Sequence, residues 1–285
     1  MIARGWTQAT GRPHAEAHAL AWLAEGGAAG ATAYVTLEPC AHRSERGPAC
    51  ADLLAEAKPA RVVIGVGDPD PRTAGQGVAR LEEAGIAVDV LESAAARDSL
   101  AGYLTRAEHG RPHVTLKIAM SLDGCIALAD GTSRWITSEE ARAHVHSRRA
   151  LADAILVGGG TWRADKPRLD VRLAGLEERS PKRVLLSRGI APDGVKVINT
   201  TEAIARLEEV QYLYVEGGAE VSASFLKNDL VDRLEIYRAP IMIGDGLRAI
   251  GPLELEQLAD AHGRWQIVET RQLGSDTFTA YQRMR

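Results

Sequence analysis

The chain has 285 residues, 45% of them hydrophobic, enough for one large domain or two ordinary ones. Lys and Arg number 34 against 38 Asp and Glu; residues 1–110 hold 10 against 14, and residues 111–285 hold 24 against 24. Neither half has the basic excess that nucleic acid rewards, no run reaches transmembrane length, and three cysteines are too few for a secreted disulfide framework. The first residues also lack a charged-then-apolar signal peptide. These observations predict a soluble, cytoplasmic protein acting on a small molecule, with no nucleic acid or membrane partner.

In chain order, the first elements alternate. Residues 31–39 (ATAYVTLEP), 60–69 (ARVVIGVGDP) and 86–92 (IAVDVLE) have the β-branched content of strands, bounded by Pro and Gly. Residues 16–25, 49–57 and 75–85 are Ala- and Leu-rich helical stretches between them. This alternation predicts a parallel α/β sheet. Residues 93–110 then read as a connecting helix and linker. The pattern restarts with strands at 112–120, 153–159, 183–187, 212–218 and 233–244 and helices at 138–151 and 221–232. Two α/β domains with a boundary near residue 110 are expected.

The first chemistry lies in "PHAEAHAL", residues 13–20. Side chains two apart in mid-helix diverge by about 200°. His14 and Glu16 can converge only in a first helical turn, which Pro13 favours. The stretch "TLEPCAHRSERGPAC" (36–50) supplies Cys40 past a strand and Cys50 at a helix start, where a thiolate is favoured. One His and two Cys leave a fourth tetrahedral position of zinc open, as a catalytic site requires. With Glu16 as proton carrier, His-x-Glu, Pro-Cys and a later Cys form the signature of zinc deaminases. A metalloprotease helix using His14 and His18 is excluded, because Glu should follow the first His and Ala15 does. His18 reads as a packing residue, and His42, between the cysteines, as a packing residue or substrate contact.

In the second half, Glu216-Gly217-Gly218 follows an apolar strand and precedes a helix, where glycines let backbone N–H groups approach a phosphate. Taken alone, the same pattern fits an ordinary strand–turn–helix.

"PHAEAHAL", "VTLEPCAH", "GPACADLL" and "VVIGVGDPDPRTAGQGVARLEEAGI" resemble the deaminase domain of the bifunctional riboflavin-biosynthesis deaminase–reductase family. "RPHVTLKIAMSLDG", "SRWITSEEARAHVHSRRA", "DAILVGGGTWRADKPRLDVR" and "YVEGGAEV" resemble its reductase domain, in family order. The resemblance implies a cytidine-deaminase-like zinc domain over residues 1–110, linker included. A dihydrofolate-reductase-like domain would follow over 111–285. It implies hydrolytic deamination of a phosphoribosylamino-diaminopyrimidinone, then NADPH-dependent reduction of the ribosyl group to ribityl, in a homodimer formed through the reductase domain. Cofactors would be Zn2+ and NADPH.

On the reductase side, Ala119, Trp135, Thr161, Asp165, Gly218, Ala219, Glu220, Val221, Ser222, Ala223 and Ser224 match NADPH-contacting positions. Ser133, Arg149, Leu169, Arg172 and Glu216 match substrate-holding positions, and Lys117 and Asp123 of "LKIAMSLDG" are expected to line the same cleft. Three departures stand out. Ser187-Arg188 replaces the family's Asp-Ser, so Arg188 is the expected contact for the extra phosphate of NADPH. Arg183, at the other end of that strand, should not help. Cys125 replaces an Arg and reads as a buried free thiol. Family members also carry about one more strand, a preceding helix and an Asn-containing loop ahead of the zinc His. Here Met1-Ile2-Ala3 is expected to begin inside the second strand, which leaves unpaired backbone and an exposed apolar face. A misassigned start or a fragment is the first explanation. The second is a monofunctional reductase with a defective, zinc-stapled deaminase remnant.

Overall fold

Val62, Ile64 and Val66 are completely buried, as expected for a strand covered on both faces. The computed structural model describes residues 1–9, 11–42, 45, 47–189 and 192–285, which divide into two units, 1–108 and 109–285. In the first unit, α1 (Ala15–Leu20), β1 (Thr32–Leu37), α2 (Cys50–Ala57), β2 (Arg61–Val66), α3 (Gln76–Glu83) and β3 (Ala87–Val90) alternate. The three strands form one parallel sheet with β2 in the centre. Leu54 and Leu81 from the helices close its core over Val62, Ile64 and Ile86. The connecting stretch is two helices, α4 (Ala94–Ser99), capped by Ser93, and α5 (Ala101–His109).

The expected strand at Met1 is not there. Residues 1–8 form none, and β1 is an edge of the sheet with Tyr34 78% exposed. Met1, Ile2, Trp6 and Trp22 are exposed as well.

The second unit contains β4 (His113–Met120), β5 (Cys125–Leu128), α6 (Glu139–Arg149), β6 (Ala154–Gly158), α7 (Gly159–Asp165), β7 (Lys182–Leu186), β8 (Lys196–Ile198), β9 (Tyr212–Val215), α8 (Ala219–Lys227), β10 (Arg233–Arg238), β11 (Gly246–Arg248), β12 (Trp265–Leu273) and β13 (Asp276–Arg283). Eight of its strands make one sheet in the order β12-β13-β10-β4-β9-β6-β7-β8. The six from β10 to β8 are parallel, and β13 and β12 add an antiparallel edge. Alternate residues feed two cores. Leu116, Leu156 and Leu213 pack with Phe225 of α8 on one face. Ile155, Tyr214 and Tyr237 pack with Ala141 and Val145 of α6 on the other. Cys125 is a fully buried free cysteine, as expected. Among the described residues, no helix is long and apolar enough to cross a membrane.

Candidate functional site

His14 caps α1 with extended backbone (φ −69°, ψ 166°), and Glu16 lies in the first turn. The two side chains therefore face the helix end, the one place where a two-residue spacing converges. Cys50 opens α2, and Cys40 lies three residues beyond β1. His14 Nδ1 is 3.3 Å from Cys50 Sγ and 3.6 Å from Cys40 Sγ. All three ligand atoms lie within 4.8 Å of one another. Bonds of ~2.0–2.3 Å in a tetrahedron separate ligand atoms by about 3.6 Å, so this donor set fits zinc.

The electrostatics suit a cation. Hydrogen bonding from the Cys50 thiol pulls the Cys40 thiol down to about 3 against its burial, and His14 assists. Cys50, donating to that thiolate, is pushed up. The Cys50 N–H also donates to Cys40 Sγ at 3.3 Å. Burial raises the Glu16 carboxyl above the usual range, which favours a group that takes up and returns a proton.

A buried carboxylate frames the site. Glu38 accepts four backbone N–H groups, from Asp68, Gly75, Gly77 and Val78, at 2.9–3.3 Å. It pins the start of α3 to the turn that carries Cys40. Arg12 donates to the Pro48 carbonyl and stands 4.0 Å from Cys40 Sγ. His18 packs edge-on against Trp6, with ring centroids 4.6 Å apart, and is a packing residue. His42 reaches Thr73 Oγ1 at 3.5 Å and lines, with His14, Glu16 and Cys40, a cavity of about 1400 Å3. Neither Glu38 nor Arg12 was singled out from sequence. Glu38 had a local signal in "TLEPC", whereas Arg12 had none.

In the second unit, the C-terminal ends of β6, β7 and β9 meet. Gly217 packs so closely on Val221 that a Cβ there would stand 2.5 Å from its side chain, and Gly158 approaches the same side chain equally closely. Ser187, just past β7, lies beside Gly159. The starts of α7 and α8 point their N–H groups into this region. Glu216 follows β9 and binds Arg149 through both oxygens at 2.6 and 3.0 Å and Lys117 Nζ at 3.3 Å. Burial alone would raise its carboxyl, but Lys117 and Arg149 outweigh it and hold the group at about 2. Arg149 also donates to the Asp170 carbonyl at 2.9 Å, so its donors are spent inside the protein. Arg172, with a half-exposed side chain, remains open to an anion.

The family model described as "RibD C-terminal domain" matches residues 112–279, and "Cytidine and deoxycytidylate deaminase zinc-binding region" matches residues 1–66. The riboflavin biosynthesis protein RibD of Mycobacterium tuberculosis is 38% identical over 97% of this chain and 85% of its own length. The chain belongs to the RibD family.

RibD of Escherichia coli is 35% identical over 97% of this chain and 88% of that protein. Acinetobacter baumannii RibD has the same fold across the whole chain, covering 89% of that structure with a TM-score of 0.87 and 34% identity. The structure from Thermotoga maritima titled a diaminohydroxyphosphoribosylaminopyrimidine deaminase/5-amino-6-(5-phosphoribosylamino)uracil reductase aligns with a TM-score of 0.84 at 29% identity, over 100% of this chain and 89% of that one. Like RibD, the protein is a bifunctional deaminase and reductase of riboflavin biosynthesis. It joins a cytidine-deaminase-like zinc domain to a RibD reductase domain, acts on a small pyrimidine, and uses zinc and NADPH.

The RibD-matching positions of the reductase half are unequally placed. Gly218 caps α8, and the N–H groups of Ala219, Glu220 and Val221 open it without intrahelical partners. The Ser222 N–H is already bonded to the Gly218 carbonyl, and Ser222 and Ala223 are buried, while Ser224 is half-buried one residue further in. Thr161 and Asp165 lie on α7, Ala119 near the end of β4, and Trp135 is exposed beneath the Arg142 guanidinium at 4.6 Å. Leu169 is buried with positive φ, and Ser133 is half-buried in the loop after β5. Arg188 is exposed two residues past β7, at the same sheet end as the glycine turns. Asp123 accepts the N–H groups of Ile243 and Gly244, tying the β4–β5 turn to the loop after β10.

Proposed function

We propose that residues 1–110 remove the exocyclic amine of a diaminopyrimidinone bearing a phosphoribosylamino group. Residues 111–285 then reduce the ribosyl group of the product to ribityl. His14, Cys40 and Cys50 would hold the zinc, which polarises a water and lowers its pKa towards ~7. Glu16 is placed to take the proton of the attacking water and deliver it to the departing amine, so that water and the C–NH2 group become a carbonyl and ammonia. The observation that carries this reading is the convergence of His14, Cys40 and Cys50 within 4.8 Å, with Glu16 in the same helical turn as the His14 cap.

In the reductase half, the open N–H groups of residues 219–221 and the glycines at 158 and 217 support a cofactor phosphate at the end of the sheet. Arg188 would meet the extra phosphate of NADPH. The cofactor carries the hydride. Arg172 takes the substrate phosphate, while Arg149 and Lys117 hold Glu216 for the polar groups of the substrate. The exposed Ile267 and Val268 on edge strand β12 support a dimer through this domain. Free thiol ligands support a reducing, cytoplasmic compartment.

The open β1 edge with exposed Tyr34 supports a second reading, a reductase with a zinc-stapled but inactive first domain. Supplying each intermediate separately to the 285-residue chain decides between them. Ammonia released from the aminated precursor together with NADPH oxidation by the deaminated intermediate establishes both steps; NADPH oxidation with the deaminated intermediate and no ammonia from the precursor establishes the second reading.

A further inference from the structure

His146 stands on α6 one turn before Arg149, is 8% exposed, and has no part in the reaction as described above. Its ring touches one short segment. Nδ1 is 3.1 Å from the Asp170 carbonyl, and Nε2 is 3.2 Å from Arg172 Nε. Nδ1 is also 3.2 Å from the Arg172 backbone N–H. An arginine Nε–H only donates, so Nε2 must present its lone pair to Arg172. The Asp170 carbonyl receives Arg149 Nη1 at 2.9 Å. His146 and Arg149, three apart on one helix face, thus stitch residues 170–172 to α6. Arg149 is neutralised by Glu216, and Arg168 is held by Asp170 Oδ2 at 2.6 Å. Arg172 is half-exposed; its Nε donates to His146 and stands 3.6 Å from Asp170 Oδ1, while its two terminal nitrogens have no protein partner among the described residues.

We propose that His146 is a positioning residue that aims the terminal nitrogens of Arg172 at the phosphate of the reductase substrate. The inference rests on the reading of Arg172 as the phosphate contact. Only the neutral imidazole can serve. Protonation would set an N–H against the Arg172 Nε–H and add a like charge beside it. The groups facing the ring from every side are Arg149 on α6, Asp170 and Arg172 on the segment before β7, and Glu216 after β9. Burial first, then Arg149 and Arg172, hold the imidazole below its usual pKa, so it is neutral at pH 7 and engages as a switch only in acid.

The test uses the full chain with NADPH and 5-amino-6-(5-phosphoribosylamino)uracil, with KM and kcat measured from pH 5.5 to 8.5. Supplying this compound directly makes the result independent of the deaminase. R172A should raise KM by about tenfold or more with kcat little changed, the signature of lost uniform binding. H146A should raise KM several-fold at pH 7.5. H146Q, which keeps one donor and one acceptor but does not titrate, should restore it. The substrate phosphate itself titrates near ~6, so the wild type should show a steeper acid rise in KM than H146Q. An identical acid rise in both, or an H146A KM equal to wild type while R172A is impaired, overturns the inference. An unimpaired R172A overturns the underlying assignment instead. If H146A does not fold, the H146Q profile decides alone.

Discussion

Glu38 Oε1 accepts the Gly77 N–H at 2.9 Å, and the Gly77 α-carbon lies so close to the next turn that a Cβ would stand 2.2 Å from the Pro39 carbonyl. Pro39 precedes Cys40, so this contact links the start of α3 to the candidate zinc site. Gly77→Ala must push that backbone away. A loss of roughly 1–3 kcal/mol is expected from the overpacking. Thermal unfolding should show the loss, and zinc content should fall with it. Full zinc occupancy at unchanged Tm would separate Gly77 from the metal site.

Zinc content should drop well below one per chain in Cys40→Ala and in Cys50→Ala, measured by elemental analysis. Glu16→Gln should keep the metal, because Glu16 lies outside the His14–Cys40–Cys50 cluster. Its deamination rate should fall about 10²–10⁴-fold, the range for loss of a positioned proton carrier. Undiminished turnover in Glu16→Gln would favour a purely structural zinc.

Cofactor choice is expected to depend on Arg188. Its position two residues past β7, at the sheet end where Gly158 and Gly217 approach Val221, suits a contact with the extra phosphate of NADPH. Arg188→Ala should lose on the order of 1.5–3 kcal/mol in kcat/KM with NADPH and little with NADH. An unchanged ratio between the two cofactors would leave Arg188 as surface.

Acid should weaken the second unit through Glu216. Its carboxyl is held at about 2 in the folded chain against 4.5 in the unfolded one. A depressed carboxylate stabilises the fold fully above the unfolded value and ceases to do so as pH falls through the folded one. The loss therefore falls between about pH 4.5 and 2 and is on the order of 3 kcal/mol. Denaturant unfolding at several acid pH values should show this slope in the wild type and a shallower one in Glu216→Gln. That variant should also be destabilised at pH 7, since it leaves Arg149 and Lys117 buried without their counter-charge.

Truncating Asp232 should be the costliest of these changes. Its carboxylate binds Arg111 through both oxygens at 2.7 and 2.9 Å, accepts the Val114 N–H, and meets Arg285. Arg111 and Asp232 are both buried. Asp232→Ala strands the Arg111 charge, and a loss of about 3–5 kcal/mol is expected in the denaturant midpoint.

The convergence of His14, Cys40 and Cys50, the place of Glu16 in the same helical turn and the parallel strands were legible in the chain because each rests on a local rule. Ligand chemistry belongs to single residue types, Pro13 marks a helix start, and β-branched runs bounded by Gly and Pro mark buried strands. The C-terminal hairpin β12–β13 was not anticipated. Its strand β12 is largely exposed and polar, and it pairs only because β13 joins β10, a partner separated by a long stretch of chain. Equally hidden were the use of Glu38 and the division of labour between Arg149 and Arg172. Sequence offers both arginines as substrate-holding positions. Only the fold brings Glu216 and the Asp170 carbonyl against Arg149 and leaves Arg172 half-exposed, because the neighbours that consume a donor come from other strands and loops. Residue type is carried by the chain itself, whereas the partner that satisfies it is set by long-range packing.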